Sequence, residues 1–142
     1  MPFNNESSIN TKETATQTHT NLLIIEDDKT VVTYARRVLQ PGYQHIQVVG
    51  DGNQAIEIIM AARDRIDVLS DYHLLGRTTG LGVAIATAEK RRNLSGQFVI
   101  TSGTSDTELI RQIENHLRAD IINGFLEKPY SIKALREIFF KK

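Results

Sequence analysis

The sequence predicts an α/β domain built as a doubly wound, five-stranded parallel sheet with helices on both faces. Three observations lead there. Short apolar runs alternate with helical periods five times over roughly 120 residues, the pattern of right-handed βαβ crossovers. The first run, Leu22 to Ile25 (LLII), is continuous rather than alternating, as in a strand covered on both sides. The whole chain has 142 residues, a length that suits one domain and leaves two cramped.

The elements follow in order. Residues 1–20, MPFNNESSINTKETATQTHT, are mostly Asn, Ser, Thr, Glu and Gln, with Phe3 and Ile9 as large apolar side chains. Such a stretch buries too little apolar surface to offset the entropy of ordering it. It is expected to be a disordered tail with His19 solvated, and the folded domain to span 21–142. After the LLII strand, Val31, Tyr34, Ala35, Val38 and Leu39 form one helical stripe, which Pro41-Gly42 stops. Ile46 to Val49 is the second strand. Beyond Asp51-Gly52, the residues Ala55, Ile58, Ile59 and Ala62 mark a second amphipathic helix. Ile66 to Ser70 is the third strand, and Leu81 to Arg92 a third helix whose basic end suits a helix C-terminus. Phe98 to Thr101 is the fourth strand and Asp106 to about Ile122 the fourth helix. Phe125-Leu126 makes a short fifth strand, and the last helix runs from Ser131 to Phe140.

Composition narrows the function. Lys plus Arg and Asp plus Glu both number 17, so the formal net charge is zero, and bulk charge offers nothing toward nucleic acid or anionic membranes. Cysteine is absent, which excludes disulfides, thiolate zinc sites and a cysteine nucleophile. No apolar stretch approaches the ~20 residues of a membrane span, and the N-terminus lacks the basic start and apolar core of a signal peptide. The expected location is the cytoplasm.

In an open parallel sheet, ligands bind in the crevice beyond the carboxyl ends of the strands. Glu26, Asp27 and Asp28 follow the first strand, Asp71 the third, Ser102 the fourth and Lys128-Pro129 the fifth. Carboxylates converging there without nearby cations would repel one another, raising their pKa values or recruiting a metal, and an all-oxygen ligand set suits Mg²⁺. A hydroxyl and an ammonium opposite would complete a cradle for a phosphoryl group. Each residue also has a plain structural reading. Asp27 or Asp28 could cap the helix that follows, Asp71 could belong to a turn, and Ser102 could serve as loop or N-cap.

Taken together, LLIIEDD, VLSDYHLLG, VITSGTSD and GFLEKP resemble the receiver domain of two-component response regulators, across essentially all of 21–142. The resemblance implies a flavodoxin-like, CheY-like fold and assigns roles to individual positions. Asp71 is the phospho-acceptor. Mg²⁺ is held by Glu26, Asp27, Asp71 and the backbone carbonyl of His73. Lys128 and Ser102 contact the phosphoryl oxygens, and Ser102 with Phe125 forms the switch. His73 and Thr104 tune loss of the phosphate. A histidine kinase or phosphotransfer domain is the implied donor, and a phosphorylation-linked homodimer is compatible with the pattern. The chemistry is self-catalysed transfer to, and hydrolysis from, the protein's own aspartate. With the last helix ending in Phe139-Phe140-Lys141-Lys142, the chain reads as a stand-alone receiver that signals by contact with an output protein.

Several positions depart from the family pattern. Leu75 stands where a proline is usual, and Gly80 comes one residue later than is common. The span from Ser102 to Lys128 is about one helical turn longer than expected. Glu26 replaces the usual aspartate and lengthens one ligand arm. A different class is also in play, since LLIIEDDKT resembles the nucleophile motif of haloacid dehalogenase-like Mg²⁺-dependent phosphatases, with Glu26 where their nucleophilic aspartate stands. A non-phosphorylated pseudo-receiver acting as a binding scaffold is the remaining alternative.

Overall fold

The computed structural model describes residues 19–140. In chain order the elements are β1 (His19–Ile25), α1 (Lys29–Leu39), a 3₁₀ turn (Gln40–Gly42), β2 (Tyr43–Val49), α2 (Gly52–Ala61), β3 (Ile66–Asp71), α3 (Gly80–Asn93), β4 (Phe98–Ser102), α4 (Thr107–Arg118), β5 (Gly124–Glu127) and α5 (Ile132–Phe140). The strands form one sheet in the order β2-β1-β3-β4-β5, and every pairing is parallel. The order reverses between β1 and β3, which opens a crevice at the carboxyl ends of those two strands.

Successive side chains of a strand face opposite sides, so a run that is apolar throughout needs cover on both. Leu23, Ile25, Val68, Phe98 and Ile100 meet Ala55 and Ile59 of α2, Leu81, Val83 and Ala84 of α3, and Ile113 of α4. Their neighbours Leu22, Ile24, Leu69 and Val99 meet Ala35, Val38 and Leu39 of α1 and Leu135 and Phe139 of α5. Each such large side chain, fully buried, contributes about 1.5–3 kcal/mol. Side-chain oxygens start the helices: Asp28, Asp51, Thr79 and Asp106 accept the first free N–H groups of α1, α2, α3 and α4, and Ser131 that of Ala134 in α5.

Three boundaries differ from expectation. β1 begins at His19, two residues ahead of the expected start of the domain. His19 and Thr20 therefore belong to the sheet rather than to a tail, while the rest of that polar stretch lies outside the described residues. His19 sits in register with Tyr43, its ring 5.4 Å from the tyrosine ring, and it is half-buried rather than solvated. β2 likewise starts at Tyr43 instead of Ile46, because the buried Tyr43 ring anchors that end. The fourth helix stops at Arg118, short of Ile122. Asp120 takes a left-handed φ of 62°, the N–H groups of Ile121 and Ile122 donate back to the His116 carbonyl, and Ile122 drops into the core. Ile121 and Ile122 extend the apolar spacing of Ile113 and Leu117, so sequence alone sets the helix end too late.

This connection lies within the span from Ser102 to Lys128. Buried Arg91 of α3 fastens it, donating to the carbonyls of Ala84 and Ile121 and to Thr87 Oγ1 while its guanidinium lies 4.7 Å from the Phe98 ring centre. Burial, with Arg92 nearby, lowers its pKa to about 10.

Candidate functional site

The crevice at the β1–β3 switch point collects three carboxylates. One oxygen each from Glu26, Asp27 and Asp71 lies within 4.8 Å of the others. Glu26 ends the apolar run of β1, where its N–H donates to the Val49 carbonyl of β2 at 2.9 Å and its side chain turns inward and is buried. Asp27 is exposed at the mouth. Asp28 has the plainer task of capping α1, its Oδ1 accepting from Thr30 N–H at 2.9 Å and Val31 N–H at 3.3 Å. Of the two residues that could have capped this helix, Asp28 does so and Asp27 remains with the cluster.

Lys128 enters from the opposite side. The Lys128 N–H donates to the Ser102 carbonyl at 2.9 Å, continuing the β4–β5 ladder by one step, and a cis peptide bond joins Lys128 to Pro129. Its Nζ donates to Glu26 Oε1 at 3.0 Å and lies 3.5 Å from Asp71 Oδ1. Glu26 Oε2 in turn accepts the Asp28 N–H at 3.3 Å. The longer glutamate arm thus reaches across to the ammonium, which neutralises part of the cluster's repulsion.

The two partners' protonation behaviour fits this picture. Burial pushes the Glu26 carboxyl above its ordinary range. The Lys128 hydrogen bond opposes that shift, and Asp71 adds to it. Burial disfavours the Lys128 ammonium, yet Glu26 and Asp71 together outweigh it and hold Lys128 above its ordinary value. Lysine gains from two carboxylates, whereas Glu26 gains from one ammonium and faces a second anion, so both shifts point upward.

Asp71 ends β3 in register with Thr101 of β4. Its carbonyl accepts Ser70 Oγ–H at 2.8 Å. A Cβ at Gly80 would come within 2.3 Å of that same carbonyl oxygen, so only glycine lets the start of α3 approach the acidic residue this closely. The loop between them carries His73, whose exposed ring packs edge-on against Tyr72 with centres 4.9 Å apart. Ser102 is fully buried at the end of β4, its Oγ accepting the Thr104 N–H at 3.1 Å. Phe125 lies opposite Ile100 on β5, half-buried against the core face that carries α2, α3 and α4.

Two features go beyond the sequence reading, a groove and the bond made by Leu75. An open groove of about 590 Å³ borders Lys128, walled mostly by apolar surface of Val31, Tyr34, Pro129 and Tyr130. Tyr34 hydroxyl donates to the Tyr130 carbonyl at 3.2 Å, joining two of the groove's wall residues. The second feature is Leu75. Its N–H donates to the Gly50 carbonyl at 3.3 Å, a bond that proline cannot make. Gly76, with φ of 82°, turns the chain just after it. A proline missing from VLSDYHLLG was the available signal for a freed backbone donor.

The ligand set suits a hard divalent cation such as Mg²⁺. It is all oxygen, it combines carboxylates that follow β1 and end β3, and Asp27 is exposed at its mouth.

Solved structures share this architecture. The receiver domain of a sensor histidine kinase from Pseudomonas aeruginosa, crystallised with a magnesium ion coordinated in its active-site cleft, matches with a TM-score of 0.65 at 25% identity, over 85% of this chain and 94% of that one. The N-terminal signal receiver domain of a two-component response regulator from Bacteroides fragilis matches at 0.66 and 19% identity, over 85% and 93%. The beryllofluoride-activated receiver domain dimer of NtrC4 matches at 0.65 and 17% identity, over 83% and 92%. No protein-family model and no curated protein matches the sequence. The architecture is that of a receiver domain.

Proposed function

We propose that this receiver-fold domain works as a response regulator receiver, taking a phosphoryl group onto the Asp71 carboxylate. The observation that carries the reading is the cluster itself: Glu26, Asp27 and Asp71 within 4.8 Å of one another, with the Lys128 ammonium reaching two of them. Glu26, Asp27, Asp71 and the His73 carbonyl would hold Mg²⁺, which would supply charge neutralisation at the phosphoryl oxygens.

The chain's own groups do the rest. An Asp71 oxygen attacks phosphorus as the bond to the donor breaks, and the donor leaves with that bond's electron pair. Lys128 shifts its hydrogen bonds from Glu26 toward a phosphoryl oxygen. The Ser102 hydroxyl turns from the Thr104 N–H to donate to another. Phe125 then moves toward the space beside Ser102 and alters the surface of α4, β5 and α5, a two-state change biased by added charge. Water later attacks the acyl phosphate, at a rate set by His73 and Thr104 beside it.

The apolar groove bordering Lys128 is a suitable seat for the phosphodonor, a histidine kinase or a phosphotransfer domain. Output passes by protein contact, with pairing of two phosphorylated copies as one form of it. The location we assign is the cytoplasm. Among the described residues, no helix is long and apolar enough to cross a membrane.

Incubation with acetyl phosphate and Mg²⁺ tests the reading. The expected product is one hydroxylamine-labile acyl phosphate per chain, formed only with the metal. No uptake from any donor would indicate a pseudo-receiver scaffold, and steady release of phosphate from phosphomonoesters would indicate a phosphatase.

A further inference from the structure

The loop that bears His73 runs from Tyr72 to Thr79. Its ends are anchored to β4 and α3, Tyr72 N–H donating to the Thr101 carbonyl at 2.9 Å and Gly80 N–H to the Tyr72 carbonyl at 2.8 Å, and its middle is held by a turn that contributes no carboxylate to the cluster. That turn, Gly50 to Asn53, joins β2 to α2. Three contacts bind the two segments. Leu75 N–H donates to the Gly50 carbonyl at 3.3 Å, as part of an isolated parallel bridge between Leu75 and Asp51. Thr78 Oγ1 donates to Asn53 Oδ1 at 2.8 Å. At Gly52, a Cβ would meet the Thr78 carbonyl at 2.9 Å, so the two backbones touch. The same turn also reaches the acidic pair. A Cβ built on Gly50 would lie 3.3 Å from Leu75 Cδ1 and 3.5 Å from Asp27 Cβ, placing Gly50 between the loop and a carboxylate-bearing residue.

We infer that the Gly50–Asn53 turn is a positioning element for the cation site, with the Asn53–Thr78 hydrogen bond and the Leu75 N–H as its fasteners. This rests on the reading of Asp71 as a Mg²⁺-dependent phospho-acceptor. The physical logic is that of groups behind a metal site's ligands: they contribute no ligand atom, but they fix where the ligand-bearing backbone stands. Neither Asn53 nor Thr78 touches the carboxylates, so both are positioning residues and not catalytic ones. Leu75 in place of proline is what gives this chain the backbone fastener.

The test compares the parent protein with Asn53→Ala, Thr78→Val, Thr78→Ser and Leu75→Pro. The Mg²⁺ concentration that half-saturates the rise in melting temperature is read for each, with no phosphodonor present. Asn53→Ala, Thr78→Val and Leu75→Pro should weaken that midpoint roughly three- to tenfold, at or below the lower end of what loss of groups behind metal ligands costs. Thr78→Ser, which keeps the hydroxyl, should restore the parent value. Hydrogen exchange across 72–79 should quicken in the weakened variants while β3 stays protected. The acetyl phosphate reaction should recover its parent rate at saturating Mg²⁺. Midpoints within twofold of the parent, or a Thr78→Ser protein that behaves like Thr78→Val, would overturn the inference while leaving the functional reading intact. A parent protein with no Mg²⁺ response at all overturns the functional reading, and this inference with it.

Discussion

Strand β3 carries two aspartates four residues apart, and the sheet treats them oppositely. Asp67, near the start of the strand, is completely buried and its oxygens are filled. Arg65 donates to both at 3.0 and 3.3 Å, Gln97 N–H donates at 3.0 Å, and the Tyr43 hydroxyl donates as well. Asp71, at the carboxyl end, keeps 14% of its side chain exposed, with the Lys128 ammonium 3.5 Å away. One strand thus holds a carboxylate consumed by structure and another left partly open at the sheet edge, the one proposed to meet a metal and a phosphoryl group. Burial alone does not make an acid functional. What distinguishes Asp71 is its unused acceptor capacity at a strand end, where backbone donors run out.

The contrast predicts opposite costs on substitution. Asp67→Ala strands the Tyr43 hydroxyl and the Gln97 N–H and leaves Arg65 unpaired, so it should destabilise the fold by about 3 kcal/mol in urea unfolding. Asp71→Asn should change stability by less than about 1 kcal/mol, because little is bonded to it. Equal costs at the two positions would erase the distinction. A gentler cut is Tyr43→Phe, which removes one of four donors to Asp67 and should cost about 1 kcal/mol. Burial first, and then the Asp67 charge, push the Tyr43 phenol far above its ordinary range, which favours its role as donor to Asp67.

The smallest effect belongs to the open end. Glu26 is held above its ordinary 4.5, so over the interval from 4.5 to its raised value the folded protein keeps a proton that the unfolded chain has released. Ionised Glu26 therefore costs stability at neutral pH, and that cost disappears as pH falls below about 4.5. Without metal, Glu26→Gln should raise the melting temperature on the order of 2 °C at pH 7 and confer no gain at pH 4. A gain that grew toward acid would contradict the direction assigned here.

The open end was also the more legible one. Glu26, Asp27, Asp71, Ser102 and Lys128 each follow an apolar run, so the topology of a parallel sheet brings them to one edge without knowledge of any contact. The closed end gave less away. Asp67 sits inside a run that reads as core, and its partners Tyr43 and Gln97 come from other elements. Arg65, two residues before it and just ahead of β3, was the one local hint. Boundaries were misread wherever long-range pairing decided them. His19 joins β1 because Tyr43 stands across from it, and Ile122 leaves helical geometry because the core beneath α4 accepts it. Helix starts, set by nearby Asp, Thr and Ser side chains, were placed within a residue or so. The Leu75 fastener was visible only as a missing proline.

One measurement goes to the centre of this account. The parent, Asp71→Asn and Asp67→Asn proteins are incubated with acetyl phosphate and Mg²⁺, and the hydroxylamine-labile group is located by peptide mass spectrometry. The account predicts a single acyl phosphate on Asp71 in the parent, none in Asp71→Asn, and the same label on Asp71 in whatever fraction of Asp67→Asn remains folded. A label that persists in Asp71→Asn, or that maps to Asp27, Asp28 or Asp67, would contradict it.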